Sequence, residues 1–164
     1  MSMRFELMSE VEVEDLKRRI EANYGASTSF LQNLRVLRTK REKVRIITQE
    51  ALELLRKLSK YAIYAGLYLC KLKRNNKLQP SVEGAQMFAT SAKRNVIRLD
   101  EEQSSRFLRG ENISLKEIKD CESNNFVLVC TKRLCLGVGI IRKKGEDYVL
   151  ESLFPKSRRI FFLS

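Results

Sequence analysis

The sequence predicts an α+β protein in which a small α/β N-terminal domain packs on a C-terminal β-barrel. Hydrophobic residues make up 43% of the 164 positions, which is enough for a packed core. The first half combines two capped helical patterns with short β-branched runs, and the last forty residues alternate apolar strands with basic turns. Several short strands around one helix indicate a small closed or nearly closed barrel.

The first helix has clear start and stop signals. Ser9 is followed three residues later by Glu12, which is the spacing of a capping box, and Gly25 is suited to end the helix. Apolar residues on one predicted face are Val13, Leu16, Ile20 and Tyr24.

A hairpin with a basic tip is predicted next. Two apolar runs at residues 30–37 and 44–47 are typical of strands. The cations in and around the connection are Arg35, Arg38, Lys40, Arg41, Lys43 and Arg45. The tip could contact phosphate or be a solvated turn, and the sequence favours neither.

A second helix is predicted over residues 49–60 with Thr48 as its cap, and alternation over 61–72 favours a strand. The predicted buried stripe of the helix is Ala51, Leu54, Leu55 and Leu58. Pro80 and Gly84 then indicate a connector.

We expect a domain boundary near residue 86, with an N-terminal α/β domain at 1–86 and a β-barrel domain at 87–164. The two halves carry net charges of +7 and +5, so basicity is spread over the whole chain.

The second half predicts one helix among several strands. Asp100 and Gln103 form a second capping box, and Gly110 ends that helix. The predicted strands are 95–99, 126–130, 134–141, 148–153 and 160–163, with a short apolar piece at Ile113 and Leu115. Gly145 marks a hairpin turn.

The overall charge predicts a polyanionic partner. The formal net charge is +12 and the pI is about 9.8, which favours nucleic acid over an anionic membrane surface, because no long basic amphipathic helix is evident. No apolar run approaches the ~18 residues of a membrane span. The acidic first fifteen residues resemble neither a signal nor a transit peptide, so a cytoplasmic protein is expected.

Catalytic and metal-binding motifs are missing from the sequence. There is no histidine, and the four cysteines, Cys70, Cys121, Cys130 and Cys135, form no Cys-x-x-Cys pair. Neither a glycine-rich phosphate loop nor a serine elbow is found. We therefore expect no metal, no cofactor and no catalysis.

Gly137 and Gly139 lie two residues apart in a predicted strand. Glycine weakens a strand, so the presence of two glycines there requires an explanation. Close approach of a nucleic-acid backbone is one reason, and a tight bend or bulge is the other. The cations nearby are Lys132, Arg133, Arg142, Lys143 and Lys144. They favour the approach of a nucleic-acid backbone, so Gly137, Gly139 and Arg142 are predicted RNA-binding residues.

Two further clusters suit phosphate contacts. Lys156, Arg158 and Arg159 follow Pro155 on a short turn, and Lys93 and Arg94 precede the first strand of the second half. A solvated surface is the alternative for each cluster.

The second half resembles a PUA-type RNA-binding domain, as found in Sun-type RNA cytosine-5 methyltransferases and in short archaeal stand-alone proteins. The resembling segments span about residues 60–164: Gly66-Leu-Tyr-Leu, Pro80-Ser-Val-Glu-Gly-Ala-Gln, Ala92-Lys-Arg-Asn-Val, Leu99-Asp-Glu-Glu-Gln, Phe107-Leu-Arg-Gly-Glu, Leu136-Gly-Val-Gly and Phe154-Pro-Lys-Ser-Arg-Arg. Residues 1–60 resemble the small α/β module that can precede this domain. Ser152-Leu-Phe departs from the commoner Asn-Leu-Leu.

The resemblance implies binding of structured tRNA or rRNA by a pseudobarrel. It does not imply methyltransferase activity, because no cysteine follows a proline or threonine here. We expect non-catalytic RNA binding that supports RNA modification or ribosome biogenesis, with RNA and an RNA-modifying enzyme or ribosomal assembly factor as partners. One alternative is a protein-interaction subunit of a ribonucleoprotein. Another is a modification enzyme that needs a catalytic partner.

Overall fold

The computed structural model describes residues 4–160, which contain four α-helices and two five-stranded sheets. The helices are α1 (Glu10–Tyr24), α2 (Gln49–Leu58), α3 (Val82–Ala89) and α4 (Glu101–Leu108). The strands are β1 (Phe5–Leu7), β2 (Arg35–Thr39), β3 (Lys43–Ile47), β4 (Leu67–Leu72), β5 (Leu78–Pro80), β6 (Val96–Arg98), β7 (Ile113–Leu115), β8 (Phe126–Cys130), β9 (Cys135–Lys144) and β10 (Asp147–Ser152).

The first sheet is an antiparallel array in the order β1-β2-β3-β4-β5. Because side chains alternate along a strand, its two faces bury different residues. Val36 belongs to a core shared with α1 and α3, whereas Leu37 packs with α2. The helix α2 therefore covers one face of this sheet, and α1 and α3 cover the other.

The second sheet has the order β6-β8-β9-β10-β7 and forms a curled half-barrel. Its first pair, β6 with β8, is parallel, and the remaining pairs are antiparallel. Phe107 of α4 is fully buried and packs against Phe154, with ring centroids 6.0 Å apart. The mixed α/β prediction is confirmed. The predicted closed or nearly closed barrel is instead an open, curled half-barrel of five strands.

The predicted first helix is confirmed at both ends. The Ser9 side chain accepts a hydrogen bond from the Glu12 amide, and the Glu12 carboxylate accepts one from Ser9. Gly25 ends the helix with a φ of 61°, in the left-handed region. The second capping box, Asp100 with Gln103, begins α4 in the same way.

The predicted buried stripe of α2 is wrong in part. Leu55 is buried, but Leu54 is 57% exposed, Leu58 is 47% exposed and Ala51 is exposed as well. Leu52 is buried in their place, at 2% exposure. Apolar residues cover about half of the helix circumference, and the first sheet covers only the side that carries Leu52 and Leu55.

Several predicted boundaries also differ. The strand predicted from residue 61 begins only at Leu67, and the strand predicted from residue 30 begins at Arg35. The helix α3 lies where Pro80 and Gly84 predict a connector. A Cβ at Gly84 would lie 2.0 Å from the Leu69 carbonyl oxygen, so glycine allows α3 to approach β4 closely.

The expected boundary near residue 86 falls inside α3. The helix packs against both β4 and β9, one strand from each sheet. The strand predicted at residues 160–163 lies outside the described residues apart from Ile160, which is exposed and not in a strand.

Buried hydrogen bonds join the end of α1 to the second half. Asn95 is 1% exposed; its side-chain nitrogen donates to the Asn23 carbonyl at 2.6 Å, and its side-chain oxygen accepts from the Glu122 amide at 2.9 Å. The Tyr24 hydroxyl donates to the Phe126 carbonyl at 3.0 Å. Every buried side-chain nitrogen or oxygen among residues 4–160 has a hydrogen-bond partner.

We expect Asn95→Ala to lower the free energy of unfolding by about 2–6 kcal/mol. The substitution leaves the Asn23 carbonyl and the Glu122 amide without their partner, and each such loss costs about 1–3 kcal/mol. Urea unfolding monitored by circular dichroism measures the change. Asn112→Ala, at an exposed position, is the control and should change stability by less than ~0.5 kcal/mol. Equal effects of the two substitutions would contradict a structural role for Asn95.

None of the helices within residues 4–160 is long and apolar enough to cross a membrane. The same residues contain no group of three or more acidic or cysteine side chains placed to hold a metal ion.

Candidate nucleic-acid interface

A basic groove of about 800 Å³ lies in the second half of the molecule. Its walls are the end of α3, the strand β6, the segment around residues 115–120, and the turn between β8 and β9. The cations that line it are Lys93, Arg94, Arg98, Lys119, Lys132 and Arg133. Two acidic residues, Glu117 and Asp120, also line it, so the groove is strongly positive on balance.

The floor of the groove is apolar. It includes Ile97 of β6 together with Cys130 and Cys135, which pair across β8 and β9. Leu134 lies in the turn above them and is 56% exposed. An apolar floor below a rim of cations suits a ligand with flat faces and a charged backbone.

Strand pairing and one turn motif place the cations around the groove. The parallel register of β6 and β8 sets Arg98 beside Cys130, and its guanidinium donates to the Thr131 carbonyl at 3.1 Å. The Thr131 hydroxyl accepts hydrogen bonds from the amides of Arg133 and Leu134. This local bonding fixes the turn that carries Lys132 and Arg133.

Four of the cations have side chains available for a ligand. Lys93, Lys119, Lys132 and Arg133 are exposed, and within residues 4–160 no ion pair or hydrogen bond engages their charged groups. They lie on three different walls of the groove. Phosphates entering the groove would therefore meet cations from several sides.

The cysteines in the floor differ in acidity. A hydrogen bond from Cys135 lowers the pKa of Cys130, with burial opposing the shift and Arg98 contributing to it. The same hydrogen bond raises the pKa of Cys135. No histidine exists in the chain to act as a base beside either thiol.

Arg94 lines the groove but is engaged by the fold. Its guanidinium donates to the carbonyls of Ala22 at 2.9 Å and Glu21 at 2.6 Å, at the C-terminal end of α1. The Glu21 carbonyl also accepts a hydrogen bond from the Gly25 amide. A cation at this end of a helix is electrostatically favourable. Arg94 therefore stabilises the contact between α1 and the groove wall.

Gly137 and Gly139 are buried inside the fold. A Cβ at Gly137 would face Phe154, and one at Gly139 would lie 2.6 Å from a Leu150 methyl carbon and 2.8 Å from the Glu151 carbonyl oxygen. Gly137 also has a φ of +154° and follows a register shift between β8 and β9. The glycines thus allow a bulge and close packing of the protein itself, and the predicted approach of a nucleic-acid backbone is corrected accordingly.

The remaining predicted cations lie away from the groove. Arg142 forms an ion pair with Glu151 at 3.6 Å and donates to the Asn124 side chain. Arg158 pairs with Glu83 at 2.7 Å. The Arg159 guanidinium packs on Gly110 and donates to the Phe154 carbonyl at 3.4 Å. Lys156 is exposed on the same turn.

Of the eight predicted residues, the groove includes only Lys93 and Arg94. The sequence prediction missed Arg98 and Lys119, which non-local pairing brings to the groove. Lys132 and Arg133 are basic neighbours of the glycines in the sequence, but they are not among the eight predicted residues. The feature of the sequence that could identify these two cations is the basic turn between two apolar strands.

Residues 94–160 match the family model described as the methyltransferase RsmF PUA domain. These residues form a PUA domain. The match contains all the groove cations except Lys93, which immediately precedes it. No curated protein matches the chain. Because the PUA domain is an RNA-binding fold, the match supports RNA as the partner of this chain.

Proposed function

We propose that the chain binds structured RNA, tRNA or rRNA, through the basic groove of its PUA domain and without catalysing a reaction. The observation that carries this proposal is a set of four cations that have no ion-pair partner among residues 4–160 and that surround an apolar floor, namely Lys93, Lys119, Lys132 and Arg133. Phosphates give affinity by displacing counterions from such cations, and flat apolar surface can accept an unstacked base.

Shape recognition fits the distribution of the cations. The four come from the end of α3, from the loop before β8 and from the β8–β9 turn, so a ligand must reach several walls together. A flexible single strand loses more conformational entropy on being held at several walls than a folded RNA whose phosphates are already fixed. Folded RNA is therefore the favoured ligand.

The absence of catalysis is proposed on chemical grounds. The chain has no histidine, so the groove lacks the commonest general base and the commonest activating partner of a cysteine nucleophile. A protein of this kind would deliver or stabilise RNA for a modification enzyme or a ribosome-assembly factor in the cytoplasm.

We expect folded tRNA to bind more tightly than single-stranded RNA or duplex DNA of matched length. If four cations contact phosphate, affinity should fall about a hundredfold between 50 and 200 mM salt. Fluorescence anisotropy at several salt concentrations measures both quantities. Weak binding that is equal for all three nucleic acids would instead favour a protein-interaction subunit with little RNA affinity.

A further inference from the structure

The helix α2 and the segment after it leave large apolar side chains uncovered. They line or adjoin a shallow groove of about 310 Å³. The exposed fractions are 57% for Leu54, 47% for Leu58, 82% for Tyr61, 69% for Ile63 and 78% for Tyr64. A contiguous apolar patch of this kind marks an interaction site more often than chance exposure does. We call it the α2 surface.

The α2 surface faces away from the PUA domain. Leu52 and Leu55 pack on the side of the first sheet that carries Leu37 and Ile47. The opposite side of that sheet packs in the core that includes Leu128 of the PUA domain. A partner on α2 would therefore leave the basic groove open.

The segment beside α2 is held in place by one arginine. The Arg45 guanidinium donates to the carbonyls of Ala65 at 2.5 Å and Gly66 at 2.7 Å, and it lies over the Tyr64 ring at 5.9 Å. A surface that is already ordered loses less entropy when a partner binds.

Charges are ordered along α2. The acidic residues Glu50 and Glu53 lie in its first half, and the basic residues Arg56, Lys57 and Lys60 lie at or just after its second half. At 100° per residue, the four charged residues within α2 lie on one flank of the helix, in one arc of about 120°. Glu50 and Lys57 lie at the edge of this arc that adjoins the stripe of Ala51, Leu54 and Leu58, and Lys60 follows the end of the helix. This order of charges also interacts favourably with the helix dipole. The dipole does not explain why the apolar stripe of Ala51, Leu54 and Leu58 is exposed.

We propose that the α2 surface binds a second copy of this chain, with the two α2 helices antiparallel around a twofold axis near Leu54. Such an axis, perpendicular to both helices, keeps the two charged flanks on the same side. Ala51 of one copy then faces Leu58 of the other, and the small alanine leaves room for the leucine. Glu50 of each copy then lies near Lys57 of the other.

A uniformly acidic or uniformly basic partner would not match this surface equally well. It would meet like charges at one half of α2, which opposes binding. A second copy has the complementary order by symmetry, which is why it is the occupant we propose.

Sedimentation velocity on the full chain at micromolar concentration tests the proposal. We expect the wild type to sediment as a species with twice the 19.1 kDa mass of one chain. Leu54→Asp should weaken self-association at least about tenfold, because it buries a charge at the axis. Val11→Asp is the control, since Val11 is 76% exposed on α1, on the other side of the first sheet, and it should leave the dimer intact.

Two charge variants test the antiparallel pairing directly. Glu50→Lys with Glu53→Lys makes the flank wholly basic, and Lys57→Glu with Lys60→Glu makes it mostly acidic. Each variant should be monomeric alone, and an equimolar mixture should recover the dimer mass. Circular dichroism confirms that both are folded. A monomeric wild type, or a mixture that stays monomeric beside a dimeric wild type, would overturn the proposal.

Discussion

Lys132→Glu combined with Arg133→Glu should lower the affinity for folded RNA about a hundredfold, the largest effect expected from any pair of surface charges. Both side chains are exposed on the β8–β9 turn, and no described acidic group pairs with them. Reversal removes two phosphate contacts and adds two repulsive charges to the groove. The turn itself should persist, because the Thr131 hydroxyl and the backbone amides hold it.

The salt dependence identifies the mechanism of this loss. Losing two phosphate contacts should reduce the slope of log affinity against log salt by about 2. Anisotropy titrations at four or more salt concentrations give the slope. An unchanged slope with reduced affinity would indicate damage to the fold rather than loss of phosphate contacts.

Lys143→Glu with Lys144→Glu is the matched control. These two cations lie beside Gly145 at the tip of the β9–β10 hairpin, in the same sheet, and they do not line the groove. The change in net charge is the same, so the control measures the general electrostatic contribution. Comparable losses of affinity for the two variants would contradict a localised site in the groove.

Local signals in the sequence predicted local structure well. The capping box at Ser9 and the glycine at position 25 define α1, because these residues satisfy the backbone groups of the helix ends themselves. The helix α3 escaped prediction for the opposite reason. Gly84 is a glycine because a strand passes close by, and that approach depends on tertiary structure alone.

The candidate site was less predictable for a related physical reason. Spacing identified basic clusters but could not distinguish cations that meet a ligand from cations that the fold uses. Arg94 donates to the end of α1 and Arg158 pairs with Glu83, which is distant in sequence. Arg98 reaches the groove only because β6 pairs with β8 in parallel.

Tyr24→Ala should destabilise the whole described fold by about 3–5 kcal/mol, the usual cost of truncating a buried aromatic residue. The side chain is fully buried, stacks on Phe88 at 5.7 Å and donates its hydroxyl to the Phe126 carbonyl. Burial raises the pKa of this hydroxyl, so it stays protonated as a donor. Equilibrium unfolding in urea measures the loss.

Tyr24→Phe separates packing from hydrogen bonding. It keeps the ring and removes one hydrogen bond, so we expect a loss of about 1 kcal/mol. Amide hydrogen exchange then locates the effect of Tyr24→Ala. Because Tyr24 and Leu128 share one core, protection should fall both in the first sheet and in β8. If β8 kept its full protection, the two halves would be independent folding units divided within or near α3, and α1 would stabilise only its own half.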